Sequence, residues 1–191
     1  MEETPDISGS GEDEGLGNAV RDFGAKFYKR PVELAGDTAT NRDFTFDFLQ
    51  NYKCEYLVML NTTSPLLRKE TYGRFIDLVS ETEADTVLSV VSEKEETFFR
   101  GKPLNFSLEE KINSQLLDPT QKIVWAMTAW KRSSFISLQE QGKNPVFGGK
   151  IELLEIPKDE ACDLDTEEDW RIAEGILQSR TMMPEKKYLE M

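Results

Sequence analysis

The chain has 191 residues, 38% hydrophobic and 31% charged, with a net charge of −13 and no histidine. That length and balance fit one α/β domain able to bury its own core. No apolar run of about 18 residues supports a membrane span, and the acidic balance argues against a nucleic-acid backbone, which needs clustered Lys and Arg. Without histidine there is no Ser-His-Asp or Cys-His nucleophile system and no histidine metal site, so any chemistry falls to carboxylates, Lys, Arg, hydroxyls and a metal. Cys54 and Cys162 make neither a disulfide framework nor a zinc cluster, and the N-terminus carries no signal-peptide pattern. The expected location is the cytoplasm.

In chain order, residues 1–17 are acidic and glycine-rich and read as a flexible leader that runs into a weak helix ending near Gly24. A loop follows from Lys29 to about Asn41. Thr40 and Asp43 form a capping-box pattern that opens a helix with Phe44, Phe48 and Leu49 on one side. Glu55 to Leu60 has the apolar continuity of a buried parallel strand, Lys69 to Glu81 is helical, and Thr86 to Val91 is a second buried strand. Together they make a βαβ unit.

Phe98 to Leu104 reads as a hairpin about Gly101-Lys102, followed by irregular polar residues. Ile123 to Trp130 is the next strand, Ser133 to Gln141 a short helix, and Lys150 to Ile156 the last strand. Thr166 to about Arg180 is the final helix, with Trp170, Ala173 and Leu177 on one face. The expected organisation is a leader (1–17), one α/β domain (18–180) with a β insertion over about 97–122, and a tail (181–191).

Three stretches carry chemistry. Asp163 and Asp165 follow the last strand, and residues i and i+2 of an extended chain point the same way. Their carboxylates could converge on a hard cation such as Mg2+, which prefers oxygen ligands. The alternative is that they are cap and dipole partners of the helix that Thr166 and Asp169 open. Asn61-Thr62-Thr63-Ser64-Pro65 lies beyond a strand's carboxyl end, where ligands bind in open α/β sheets. Its amide and hydroxyls suit a polyhydroxylated substrate, or simply cap the next helix. Between Arg30 and Thr40, a cation able to pair with a phosphate or carboxylate is joined to small residues that admit a base or ribose, or else forms an ordinary surface loop.

Arg-Pro-x-Glu-Leu-Ala-x-Asp-Thr-Ala from Arg30, Leu-Asn-Thr-Thr-Ser-Pro-Leu from Leu60, and Asp-Leu-Asp-Thr-Glu-Glu-Asp-Trp from Asp163 together resemble the acylneuraminate cytidylyltransferases, over about Ile7 to Leu177. The resemblance implies a Rossmann-like nucleotide-diphospho-sugar transferase fold with a mostly parallel sheet. It also implies transfer of CMP from CTP to a sialic acid-like or related acidic sugar, with release of pyrophosphate, and a homodimer joined through the insertion. By the same resemblance Asp163 and Asp165 hold Mg2+ and, with Arg30, are the catalytic set. Arg30, Ala39 and Thr40 contact the cytidine nucleotide, and Asn61, Thr63, Ser64 and Gln121 contact the sugar.

The sequence departs from the family's pattern in three places. The triphosphate-cradling loop resembling Ala-Arg-x-Gly-Ser-Lys-Gly is not found, and Ile7 to Glu14 looks like a later Ser-Thr-Glu-Asp-Glu stretch. The expectation is an N-terminally truncated domain without its central first strand, with exposed strand edges and little activity alone. Asn61 stands where the family has Gln, and Thr62 where it has Pro, which points to a different sugar or a degraded site. The alternative function is a catalytically inactive sugar-binding or regulatory module.

Overall fold

The computed structural model describes residues 8–11, 14–36 and 39–182. The first unit comprises β1 (Ser8–Gly11), α1 (Glu14–Asp22) and β2 (Lys26–Lys29). Next come α2 (Asn41–Asn51), β3 (Tyr56–Leu60), α3 (Lys69–Glu81) and β4 (Thr86–Glu93). The hairpin β5 (Phe98–Phe99) and β6 (Lys102–Pro103) precedes β7 (Thr120–Lys131), α4 (Arg132–Glu140), β8 (Ile151–Glu155) and α5 (Glu167–Met182). No helix among the described residues is long and apolar enough to cross a membrane.

The main sheet has the order β3-β7-β4-β8. β7 is antiparallel to both β3 and β4, and β4 is parallel to β8, so three of the four strands run the same way. The mostly parallel α/β architecture expected from the sequence is present. Side-chain alternation along β3 divides the core in two. Tyr56 and Val58 join the cluster built on Phe75 and Val79 of α3, while Leu57 and Met59 join the cluster of Leu49, Trp130 and Phe135 on the other face. β4 lies between helices on both sides and is buried from Thr86 to Val91, which explains its unbroken apolar run.

β7 carries a wide bulge. Leu88 pairs with Thr128 and Val90 with Ile123, so Val124 to Met127 stand opposite Ser89 alone. Ser89 is fully buried and satisfies the bulge: its Oγ lies 2.5 Å from the Val124 carbonyl, 2.9 Å from the Met127 carbonyl and 3.1 Å from the Met127 amide. Ser89→Ala would leave these backbone groups short of a partner, at about 1–3 kcal/mol. Chemical denaturation should show that loss as a lower midpoint with an unchanged slope.

Both capping boxes form. The Thr40 amide and hydroxyl donate to the Asp43 carboxylate, which holds that carboxyl below its usual range. Thr166 and Asp169 make the same arrangement at the start of α5, with the same effect on Asp169. The glycine pair before β8 has a packing cause. Gly149 has φ +66°, and a Cβ there would fall 2.1 Å from a carboxylate oxygen of Asp85, which accepts from the Lys150 amide.

Four expectations require correction. Part of the expected leader is structured: β1 pairs in parallel with β2, and α1 begins at Glu14. Its glycines serve close packing rather than flexibility. A Cβ at Gly9 would lie 2.4 Å from Val20, and one at Gly17 would lie 2.8 Å from the Phe27 ring. Residues 1–7 of that leader, and 183–191 of the expected tail, lie outside the described residues; Thr181 and Met182 continue α5.

The hairpin turns one residue earlier than expected, at Arg100-Gly101, which take the two positive φ values that a tight two-residue hairpin needs. Thr120 to Lys122, assigned to the insertion, pair with β4 and belong to the main sheet. Finally, Trp170 and Leu177 do not join Ala173 inside: Ala173 is buried, whereas they are 55% and 54% exposed. α5 is held mainly by polar contacts near its ends.

Among the described residues no strand pairing joins β1–β2 to the main sheet, and β3 has a neighbour on one side alone. α2 makes the connection. Tyr28 of β2 sets its ring edge-on to Phe48 (5.2 Å) and Tyr52 (5.6 Å). Its hydroxyl donates to the Asp47 carboxylate and accepts from Asn51 Nδ2 at 3.2 Å.

Candidate functional site

Asn61, Thr63, Ser64, Asp163 and Asp165 lie beyond the carboxyl ends of β3 and β8, the ligand-binding end of an open α/β sheet. Asn61 follows β3 directly. Its amide donates to the Ala126 carbonyl in the β7 bulge (3.0 Å), and its own carbonyl accepts from the Ser64 amide (3.1 Å). The bulge therefore fixes the start of this loop. Asn61, Thr62, Ser64, Pro65, Lys69 and Tyr72 help to line an open cavity of about 390 Å³. An amide, a hydroxyl, a phenol and an ammonium group around one cavity suit a hydroxylated, acidic ligand.

Asp163 and Asp165 come from the other side of the sheet. They do not directly follow the strand, as expected. After β8 the chain passes Ile156 and Pro157, makes a 3-10 turn at Lys158–Glu160, and reaches the aspartates in an irregular segment. The reasoning from an extended strand does not apply to them. Their loop nevertheless meets the other: the Leu164 amide donates to the Thr63 carbonyl at 2.9 Å. This bond sets Asp163 beside the Thr63–Ser64 segment. Asp163 Oδ1 and Ser64 Oγ are shielded from solvent and have no hydrogen-bond partner, although Ser64 as a whole is 5% exposed. Asp165 is exposed, and its amide donates to Asp169 Oδ2 at 3.2 Å.

A buried carboxylate oxygen without a donor is a position that a cation completes. Mg2+ suits such a pair, since it is commonly bound by one or two carboxylates together with substrate phosphates and water. Among the described residues there is no cluster of three or more carboxylate or thiol ligands. The shielded, unpartnered Oδ1 of Asp163 thus fits an open cation position completed by phosphate and water, and not a closed protein cage.

The other expected residues form separate groups. Arg30 follows β2, and its amide donates to the Gly11 carbonyl (2.8 Å). Its guanidinium lies over the Phe44 ring at 4.5 Å, with Nε buried and without a partner. Ala39 donates to the Gly36 carbonyl, and the Thr40 side chain is engaged in capping α2. Asp37 and Thr38, within the same motif, lie outside the described residues. Gln121 is exposed on β7 opposite Ser92. No hydrogen bond among the described residues ties Arg30 or Gln121 to the two joined loops. Trp125 leans on Phe147 at 5.8 Å and Trp130 is buried, so neither is a free stacking surface.

Sequence reasoning missed a charged cluster that joins the two loops, one member of which, Arg68, also lines the cavity. Arg68 donates its amide to Glu160 (2.9 Å) and its side chain to Asp159. Arg180 donates to the Leu66 carbonyl, the Asp159 carbonyl and the Asp159 carboxylate, at 2.8, 2.8 and 2.9 Å. These partners lie up to 114 residues apart, and no local pattern signals them.

Comparison with known proteins agrees with the motifs. No family model matches the chain. It is similar to N-acylneuraminate cytidylyltransferase A of Danio rerio, with 26% identity over 160 residues; the match spans 80% of this chain and 36% of that protein's length. The fold is shared with a CMP:2-keto-3-deoxy-manno-octonic acid synthetase solved with CTP (TM-score 0.61, 13% identity, 94% of this chain and 83% of that one). It is also shared with 4-diphosphocytidyl-2C-methyl-D-erythritol synthase from Anaerococcus prevotii (TM-score 0.60, 13% identity, 86% of this chain and 76% of that one).

Proposed function

We propose that the chain provides the catalytic face of a cytidylyltransferase that transfers CMP from CTP to an acidic, sialic acid-like sugar. The observation that carries this reading is the Thr63–Leu164 hydrogen bond, which sets a hydroxyl-rich, ammonium-bearing cavity against the Asp163–Asp165 segment. The similarity to a cytidylyltransferase in sequence, and to CTP-using enzymes in fold, supports the choice of nucleotide.

In the reaction a sugar hydroxyl gives up its proton to solvent as its oxygen bonds to the α-phosphorus of CTP, the bond from that phosphorus to the bridging oxygen breaks, and pyrophosphate leaves with that electron pair. Such chemistry rests on positioning and charge neutralisation, for which histidine is unnecessary. Asp163 and Asp165 would hold Mg2+. Bound there, the ion would neutralise phosphate charge and favour ionisation of the attacking hydroxyl. Arg30, braced on Phe44, orients the nucleotide with Ala39 and Thr40. Asn61, Thr63 and Ser64 hold the sugar, and Lys69 adds a charge for its carboxylate. Gln121, at the insertion end of β7, contacts the sugar from outside the cavity.

Pyrophosphate release from CTP, with Mg2+ and a nine-carbon acidic sugar, tests the reaction. Release that needs all three components is expected; sugar binding without CTP binding would instead establish the non-catalytic module. The separation of Arg30 from the two loops is the observation that favours that second reading.

The insertion exposes a run of large apolar side chains, including Phe98 at 56% and Phe99 at 63%. Such a patch marks an interaction surface, read here as a homodimer contact. Phe98 also packs on Phe106 within its own chain, whereas Phe99 is free of that role. Sedimentation should give twice the chain mass for the unaltered protein and the single mass for Phe99→Asp; a monomer in both would exclude the contact.

A further inference from the structure

Strands β3 and β8 are three positions apart in the sheet, about 14 Å at about 4.8 Å per step. Their following loops nevertheless touch at Thr63 and Leu164. A single neutral hydrogen bond contributes about 1 kcal/mol, too little to hold two loops across that distance. The additional holding force is charged and begins at Arg68, which lines the cavity. Glu160 is 1% exposed and accepts from the Arg68 amide, with the Arg68 guanidinium 3.4 Å from its other oxygen. Arg180, in the last turns of α5, grips one residue from each loop, the Leu66 carbonyl and Asp159. The capping box at Thr166 and Asp169 is local to the start of α5, so Arg180, about 20 Å further along, is the contact that ties the helix to the two loops.

We infer that Arg180 and Glu160 are positioning residues that clamp the Asn61–Arg68 loop to the Asp163–Asp165 segment, so that sugar-holding and metal-holding groups are presented as one unit. Neither residue touches substrate. Arg180 acts by fixing Leu66 and Asp159, three residues beyond Thr63 and four before Asp163. Glu160 acts by anchoring the end of the first loop at Arg68. The buried charge of Glu160 is tolerable because its oxygens meet the Arg68 amide and guanidinium. The consequence for nucleotide binding rests on the function proposed above; the mechanical clamp does not.

Amide exchange by NMR, together with calorimetric titration of CTP in Mg2+, tests both parts on the whole chain. In Arg180→Gln the Leu164 amide should lose protection at least about tenfold, while the amides of β4 keep theirs. CTP affinity in Mg2+ should fall by about tenfold. Arg180→Lys retains one donor and should recover part of both. Arg74→Gln removes a surface arginine bound to the Glu155 carbonyl, outside the clamp, and should change neither. If Arg180→Gln does not fold, Glu160→Gln carries the same two expectations. Unchanged Leu164 protection in a folded variant would overturn the clamp. Lost protection with undiminished CTP binding would overturn its link to the site. An unaltered chain that binds no CTP would instead count against the proposed function, and the Leu164 amide would still decide the clamp.

Discussion

Replacing Asp163 by alanine is expected to weaken magnesium-dependent CTP binding at least about a hundredfold, or roughly 2.7 kcal/mol, without altering sugar binding. Its Oδ1 is shielded from water and lacks a protein partner, so the folded chain gains nothing from that charge unless a cation answers it. Alanine removes a carboxylate whose Oδ1 is shielded and has no partner, so the fold should be no less stable than before. That combination, lost nucleotide affinity with retained or raised stability, separates a metal ligand from a helix cap. Removing a cap would lower stability by about 0.5–2 kcal/mol instead. Here the cap belongs to Thr166 and Asp169, whose side chains are already paired. Thermal unfolding and calorimetry on Asp163→Ala, with Asp169→Ala alongside, should therefore move in opposite directions. A destabilised Asp163→Ala that still bound CTP in Mg2+ would return this residue to a structural role.

The β1–α1–β2 unit should open independently of the main sheet, with the amides of β1, α1 and β2 exchanging about a hundredfold faster than those of β4. Among the residues of this unit whose burial is described, the buried positions are glycines, Gly11 and Gly17, whereas β4 is buried over six consecutive residues. Its connection to α2 depends heavily on Tyr28. Burial and the neighbouring Asp47 carboxylate push that phenol up to about 12 from 10.0. The docked form thus binds the proton more tightly than the opened form. Docking is at full strength below pH 10 and weakens as pH rises through 10 to 12. Tyr28→Phe removes that dependence along with the hydrogen bond. Hydrogen exchange followed by mass spectrometry should show the alkaline loosening in the unaltered chain and a pH-independent, looser unit in the variant. Uniform exchange across both units would show that they open together.

Much of this fold is legible locally. The Lys69–Glu81 helix, both capping boxes and the β4 strand follow from short-range patterns that burial reinforces, whereas β3, expected as a buried parallel strand, is half-buried and pairs antiparallel with β7 at the end of the sheet. The N-terminal unit was harder because glycine reads as flexibility unless its neighbours are known. Only the proximity of Val20 and Phe27 shows that Gly9 and Gly17 serve packing. The outward placement of Trp170 is another long-range outcome, since a helix tied to Leu66 and Asp159 by Arg180 has less need of an apolar stripe.

The candidate site divides in the same way. Its residue types stand in three motifs, but the contact that joins two of them is a backbone bond between Thr63 and Leu164, to which side-chain identity gives no clue. The clamp of Arg68, Asp159, Glu160 and Arg180 was equally hidden, because single charges on two loops and a helix look like ordinary surface residues until the chain folds. Extended-strand geometry for Asp163 and Asp165 failed because a 3-10 turn separates them from β8.

Calorimetric titration of CTP into the 191-residue chain, once in excess Mg2+ and once in excess EDTA, tests the assignment of Asp163 and Asp165 most directly. Saturable binding in Mg2+ that disappears in EDTA and in Asp163→Ala is the expected result. Binding of equal strength in Mg2+ and EDTA, or an acidic sugar that binds where CTP does not, would contradict it.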